Sequence, residues 1–214
     1  MATFIKAGFW QKLCDPCEGY KNWLNLDKFV SNIVNSILRS TPNGLYSQTA
    51  DGTEIVNTDV ESDLIGPGVG SLSIPANGFR VGDSFVARMG GVISTSGGSD
   101  FITIRIESLN GVTVELANSG SQSLPGLSDE SFTLELNFTI RSIGEAGTAE
   151  ILTVGIMAFQ KSSSGSMEGF EFRSLNNTTF DTTKSATLDI TAQWASADPG
   201  SSIKSQYFTL HKLY

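Results

Sequence analysis

Residues 132–140 read Phe132-Thr-Leu-Glu-Leu-Asn-Phe-Thr-Ile140, with a large hydrophobic residue at every even position and a polar residue at every odd one. Successive side chains of a strand point to opposite faces, so this pattern predicts a strand that is buried on one face only. Similar stretches recur to the C-terminus, and each such sheet needs a second apolar layer to cover it. The sequence therefore predicts an all-β protein, built as an antiparallel, two-sheet, jelly-roll-like sandwich.

About eight to ten strands are expected after residue 45, separated by turns rich in Gly, Asn, Ser and Pro. No connection between them has the length and periodicity of a helix, which argues against a parallel sheet. No fixed-period repeat is present, which argues against a propeller or a solenoid. The expected strands lie near residues 53–60, 70–75, 79–94, 101–108, 111–117, 131–142, 149–160, 168–174, 185–195 and 203–213.

The first 44 residues differ from the rest and are interpreted as an N-terminal arm, with the β domain spanning 45–214. Apolar residues recur every three or four positions between Asn25 and Arg39, which predicts a short helix that ends before Pro42. This helix either packs on its own domain or forms a seam between subunits; its apolar stripe covers about two heptads, fewer than a coiled coil needs. The candidate oligomerisation or anchoring residues are Trp10, Trp23, Leu26, Val30, Ile33 and Ile37.

The composition limits the function classes. The chain of 214 residues has a net charge of -8, which argues against binding to nucleic acid, since that requires a basic face. No stretch approaches the roughly 20 apolar residues of a membrane-spanning helix. The N-terminus lacks the basic and apolar regions of a secretory signal, so synthesis and folding in the cytoplasm are expected.

Two groups of residues resemble metal sites. Cys14-Asp-Pro-Cys17 has the spacing of a redox dithiol or half a zinc site, but the chain has only these two cysteines and His211 to offer, and zinc needs four ligands. Free thiols and a local disulfide both remain open. Asp59, Glu61 and Asp63 alternate along an extended segment, where they either bind a cation or form a solvated acidic strand edge.

No pattern predicts an enzyme or a cofactor. The carboxylates at Asp129-Glu130 and at Glu168 and Glu171 raise the question of glycoside hydrolysis, but that chemistry depends on a separation across a cleft that sequence spacing does not give. A Gly-x-Ser-x-Gly elbow and a phosphate-binding glycine loop are both absent from the sequence. We therefore expect a protein without catalytic activity, cofactor or resident metal.

Three segments resemble the β-rich domains of virion structural proteins, seen among phage tail or fibre proteins and large DNA viruses. They are TDVESDLIGPGVGSLSIPAN (58–77), FRVGDSFVARMGGVISTSGG (79–98) and LDITAQWASADPGSSIKSQ (188–206). The resemblance covers roughly residues 50–214 and implies a jelly-roll-like module that assembles, commonly as a trimer, in a capsid, spike or fibre. Other virion proteins are then its expected partners and the virion its expected location.

Two functional hypotheses follow. The first is a non-catalytic virion subunit that self-assembles, with the aromatic-rich arm as its anchor. The second is a module that binds a glycan or receptor on a host surface, which requires exposed aromatic side chains beside polar groups. The candidates for stacking on a sugar are Phe101, Phe170, Phe172 and Phe180, whereas Trp194 shares a face with Ile190 and Ala192 and is assigned to the core.

Overall fold

The computed structural model describes residues 43–214 except 98, 99, 110, 162 and 163. These residues form strands in two antiparallel sheets that pack face to face, which confirms the predicted all-β sandwich. The predicted N-terminal helix, its six candidate residues and the two cysteines lie outside the described residues. The strands are β1 (Asn43–Gln48), β2 (Ile55–Val56), β3 (Ser62–Asp63), β4 (Gly68–Gly70), β5 (Ser73–Ile74), β6 (Ser84–Thr95), β7 (Asp100–Leu109), β8 (Thr113–Asn118), β9 (Gln122–Leu124), β10 (Leu127–Ile143), β11 (Ala149–Gln160), β12 (Met167–Asn176), β13 (Ala186–Trp194) and β14 (Ser202–Lys212).

The eight-stranded sheet has the order β12-β11-β10-β6-β14-β1-β4, with β2 paired to β14. The six-stranded sheet has the order β3-β13-β7-β8, with β5 paired to β13 and β9 to β7. The long strands pair in a nested way: β6 pairs with β14 in one sheet, and the strands next to them in sequence, β7 and β13, pair in the other. Such nesting, in which strand pairs pass together between sheets, is typical of a jelly roll.

The alternation in residues 132–140 determines which residues of β10 reach the core. Its five large hydrophobic side chains are all buried, while Thr133, Glu135 and Asn137 are exposed on the outer face. Trp194 lies in the same core, 2% exposed, and its Nε1 donates to the Ile55 carbonyl at 3.3 Å. Its assignment to the core is therefore confirmed.

Strand ends depart from the predicted ones where turns intervene. The strand expected at 79–94 begins only at Ser84, because the Arg80 N–H bonds to Asp83 Oδ2 at 2.9 Å and Gly82 has a φ of 91°. This backbone angle favours glycine and closes a turn instead of extending the strand. Likewise, only Ile55–Val56 of the expected strand 53–60 pairs with a neighbour.

Aromatic rings cover glycines on the strand next to them in the eight-stranded sheet. Tyr207 pairs with Gly90 and Phe172 with Gly155, and a Cβ on either glycine would lie 2.3 Å from the ring of its partner. A glycine inside a strand has no side chain to pack, so the ring of the cross-strand residue fills that space. This contact leaves Phe172 only 7% exposed.

Candidate interaction surfaces

The four phenylalanines proposed for sugar stacking do not lie together. Phe101 is 39% exposed on the outer face of the six-stranded sheet. Phe170 is half-buried on β12 of the other sheet, with its ring 6.4 Å from that of Phe172. Phe172 and Phe180 are both buried in the core, at 7% and 1% exposure. Among the four, only Phe101 offers a ring to solvent beside polar residues.

The outer face of the six-stranded sheet carries carboxylates around one arginine. Arg105 Nη1 lies 2.8 Å from Glu61 Oε2, and Arg105 Nε lies 3.9 Å from Glu115 Oε2. Cross-strand pairing places Asp189 opposite Glu107, and Glu107 opposite Glu115. We call this surface the acidic face; its residues are Glu61, Asp63, Arg105, Glu107, Glu115 and Asp189.

The acidic run predicted from the sequence is divided among different partners. Glu61 bonds to Arg105 and to the Thr191 hydroxyl, whereas Asp63 accepts the Ile65 N–H. Asp59 contributes its backbone carbonyl, which accepts a hydrogen bond from Gln193 Nε2 at 3.0 Å. Within the described part of the chain, no three acidic, histidine or cysteine side chains converge closely enough to hold a metal ion.

Two carboxyls of the acidic face bind protons more readily than usual. Desolvation raises the pKa of Asp63 to about 6; the Ile65 N–H opposes this rise, and the neighbouring Asp189 carboxyl adds to it. Desolvation also raises the pKa of Glu107, and the negative charges of Glu61 and Asp189 add to that rise. At neutral pH this surface therefore carries closely spaced negative charges, and a positively charged group placed beside them would reduce their mutual repulsion.

The raised pKa of Asp63 makes stability depend on pH. The folded protein holds this proton up to about pH 6, while the unfolded chain releases it near pH 4, so the stability due to Asp63 is lost as pH rises between these values. We expect Asp63→Asn to raise the melting temperature near pH 7.5 and to have little effect near pH 4, as measured by circular dichroism.

Asp181→Asn provides a control of opposite sign. The Thr183 hydroxyl and N–H lower the pKa of Asp181, so its stabilising effect is present above about pH 4 and is lost as pH falls. This variant should melt at a lower temperature than the wild type near pH 7.5. If Asp63→Asn changed the melting temperature by the same amount near pH 7.5 and near pH 4, the predicted pH-dependent effect of Asp63 on stability would be wrong.

The outer face of β11 and β12 carries apolar side chains around two charged ones, Glu171 and Arg173, which lie opposite Ile156 and Val154. Three of its side chains are well exposed: Ile156 at 51%, Met167 at 63% and Leu175 at 41%. Polar side chains flank it on β10. We call this surface the β11–β12 face; its residues are Leu152, Val154, Ile156, Ala158, Met167 and Leu175.

A sequence signal for the β11–β12 face exists, although the sequence analysis did not use it. Residues 149–160 read AEILTVGIMAFQ, which is apolar at nearly every position and does not alternate like β10. Such continuous runs are typical of strands covered on both faces. One face of β11 packs in the core, and the described residues supply no cover for the other.

The interior holds a cavity of about 50 Å³ between the sheets, lined by Phe79, Phe138 and Phe180 among other apolar residues. The Ser108 hydroxyl lies at this cavity and has no hydrogen-bond partner among the described atoms. Pockets for drug-sized ligands measure about 300–1,000 Å³, so this cavity is too small for a sugar or a cofactor. Within the described residues there is also no helix with the length and hydropathy to cross a membrane.

Neither a family model nor a curated protein matches the chain. Among solved structures, the chain is similar to the CBM2 module of the Lactobacillus casei BL23 phage J-1 evolved Dit, with 12% sequence identity and a TM-score of 0.29. The match covers 65% of this chain and 66% of that module.

Proposed function

We propose that this protein is a non-catalytic structural subunit of a virus particle, a capsid, spike or fibre component, that associates with copies of itself. The observation that carries this proposal is the β11–β12 face at the edge of the eight-stranded sheet, where Leu152 pairs with the exposed Leu175, Ile156 is exposed at the middle of the face, and Met167 is exposed at its far end. Clustered apolar surface of this kind marks sites of protein association. Other virion proteins are further partners, and the protein is made in the host cytoplasm before it enters the virion.

The viral context comes from the resemblance of residues 58–77, 79–98 and 188–206 to virion structural proteins. The third segment is distant in sequence from the first two but pairs with both: β3 and β5 of the first pair with β13, and β6 of the second pairs with β14, which begins within the third. The resemblance therefore includes paired strands of both sheets. It supports a structural role and carries no catalytic residue.

The N-terminal arm, predicted at residues 1–44, contributes the second part of the proposal. Its aromatic and apolar residues are more than a short segment buries by itself, so we assign it to anchoring or oligomerisation, with a trimer as the favoured state. Light scattering coupled to size exclusion should give a larger oligomer for the full chain than for residues 42–214. The cut precedes β1, which starts at Asn43, so that no strand is shortened.

Comparing the mass of the full chain with that of residues 42–214 shows whether the arm or the sandwich causes assembly. Equal oligomers for both chains would contradict the role of the arm and leave association with the sandwich. Monomers for both chains at every concentration would contradict self-association itself.

The alternative function is attachment to a glycan or receptor on the host surface. Phe101 supports it, because its ring is exposed and Phe101 pairs with Ser123 of β9 at the margin of the six-stranded sheet. Exposed aromatic rings beside polar groups suit sugar recognition. A glycan array probed with the folded oligomer distinguishes attachment from a purely structural role.

A further inference from the structure

Strand β12 is a long, open sheet edge. It pairs with β11 over ten residues without a register shift, and no backbone hydrogen bond joins its other side to a described residue. Strand β8 of the six-stranded sheet packs beside β12, and Asn176 Nδ2 donates to the Glu115 carbonyl at 3.0 Å, but β8 makes no backbone ladder with β12. Proline, a bulge and a very short strand are among the devices that protect such edges, and β12 has none of these; its charged side chains are Glu168, Glu171 and Arg173.

The charges on β12 are complementary to a second copy of the same strand. Glu171 and Arg173, on either side of Phe172 in the sequence, point to the outer face, whereas Phe172 points to the core. Neither charged side chain makes an ion pair with a side chain that the structure describes. In an antiparallel pair with its twofold axis at Phe172, Glu171 of each copy lies opposite Arg173 of the other. Opposite charges placed in this way stabilise a strand pair.

Neighbouring registers lose this match. A twofold axis at Glu171 would place Glu171 opposite itself, and one at Arg173 would place two arginines opposite each other. Like charges directly opposite one another destabilise a strand pair. The axis at Phe172 is also nearly at the middle of Met167–Asn176, so almost the whole strand takes part.

The shape of the surface favours the same register. The axis at Phe172 places Leu175 of the second copy opposite Gly169, which lies in a shallow depression of about 370 Å³ together with Ile156, Ala158 and Met167. A Cβ on Gly169 would lie 2.1 Å from the Met157 carbonyl oxygen, so only glycine fits the strand here. The exposed side chain of Leu175 can therefore cover apolar surface across the contact.

We propose that two copies join their eight-stranded sheets edge to edge, through antiparallel pairing of β12 about a twofold axis at Phe172. This inference rests on the proposed function, because it names the contact by which one subunit binds the next. The pairing satisfies the free backbone groups of both edges and brings the β11–β12 faces of the two copies side by side, with the Glu171–Arg173 pairs between them.

Charge reversal in the full chain tests the pairing. Glu171→Arg and Arg173→Glu each replace two ion pairs with two like-charge pairs, so each variant alone should raise the dissociation constant about 10-fold or more. An equal mixture of the two variants restores opposite charges across the contact and should associate like the wild type. The double variant Glu171→Arg with Arg173→Glu should also recover. Sedimentation velocity over a range of concentrations measures these effects.

Arg88→Glu is the matched control, since Arg88 is exposed on the outer face of the same sheet but on β6, away from the edge. It should leave the mass unchanged, and circular dichroism should show every variant folded. If reversals at 171 and 173 leave a wild-type oligomer intact, or if mixing fails to restore it, the β12 pairing is overturned while self-association stands. A wild-type chain that stays monomeric overturns the proposed function and the pairing together.

Discussion

Lys212→Met should lower the free energy of unfolding by about 3 kcal/mol, because it leaves the buried carboxylate of Asp83 without its counter-charge. Lys212 Nζ lies 2.7 Å from Asp83 Oδ1, and the Asp83 side chain is 8% exposed. The ammonium also lies 5.7 Å from the centre of the Phe85 ring, a second favourable contact that methionine loses. Urea denaturation followed by circular dichroism measures the loss.

The ion pair joins Asp83, the residue just before β6, to Lys212 at the end of β14. Beside it, the Leu213 N–H donates to the Ser84 carbonyl at 2.8 Å, so this corner fixes the C-terminus of the chain. Because β6 and β14 are neighbours at the centre of the eight-stranded sheet, loosening this corner exposes the margin of the core. The effect should therefore appear in global unfolding and not only as local fraying.

A double-mutant cycle separates the charge from the packing. Asp83→Asn combined with Lys212→Met removes both charges and retains an oxygen that can accept the Arg80 N–H. This double variant should regain most of the lost stability, since a neutral amide costs far less to bury than an unpaired carboxylate. A cost below about 1 kcal/mol for Lys212→Met would mean that the pair behaves as a solvated surface pair.

The sequence predicts a strand well when one face of the strand is buried and the other is wet. β10 satisfies this condition, because its alternation follows directly from burial of Leu134 and Leu136 and exposure of Glu135. The same reasoning overestimates β2 and β5, which have two residues each within the expected strands 53–60 and 70–75, and it does not find β3. Their pairing depends on which neighbours the tertiary fold brings to them, and no local pattern encodes that.

The candidate surfaces show the same limit. Asp59, Glu61 and Asp63 are close in sequence, yet the acidic face is completed by Asp189 and Glu107 from other strands. Cross-strand register decides these neighbours, and a shift of one residue would turn Glu107 into the core. For the phenylalanines, burial of Phe172 depends on Gly155 in the neighbouring strand, a contact that the sequence of β12 does not show.

A twofold contact through β12 does not by itself produce a trimer. An isologous interface uses the same patch on both copies and closes as a dimer. The favoured trimer would therefore need a second contact, for which the N-terminal arm predicted at residues 1–44 is the candidate from the sequence. A subunit with a threefold and a twofold contact can be extended into a lattice, which is what the shell of a particle requires.

Trp194→Ala should lower the free energy of unfolding by about 3–5 kcal/mol, the usual cost of deleting a large aromatic side chain from a core. Trp194 is 2% exposed on the inner face of β13, beside Ile190 and Ala192, which are both fully buried. Its indole N–H also bonds to the Ile55 carbonyl, which joins the six-stranded sheet to β2 of the other sheet. Urea denaturation again measures the change.

Trp194→Phe is the control that separates volume from hydrogen bonding. Phenylalanine keeps most of the apolar volume but leaves the Ile55 carbonyl without this donor, so it should cost less than alanine, about 1–3 kcal/mol. Were Trp194 a platform for sugar, both variants would abolish binding while the midpoint of unfolding stayed where it is. An unfolding midpoint that Trp194→Ala leaves unchanged would therefore show that the indole does not stabilise the core. It would also contradict the argument that Trp194 holds the two sheets together at this point.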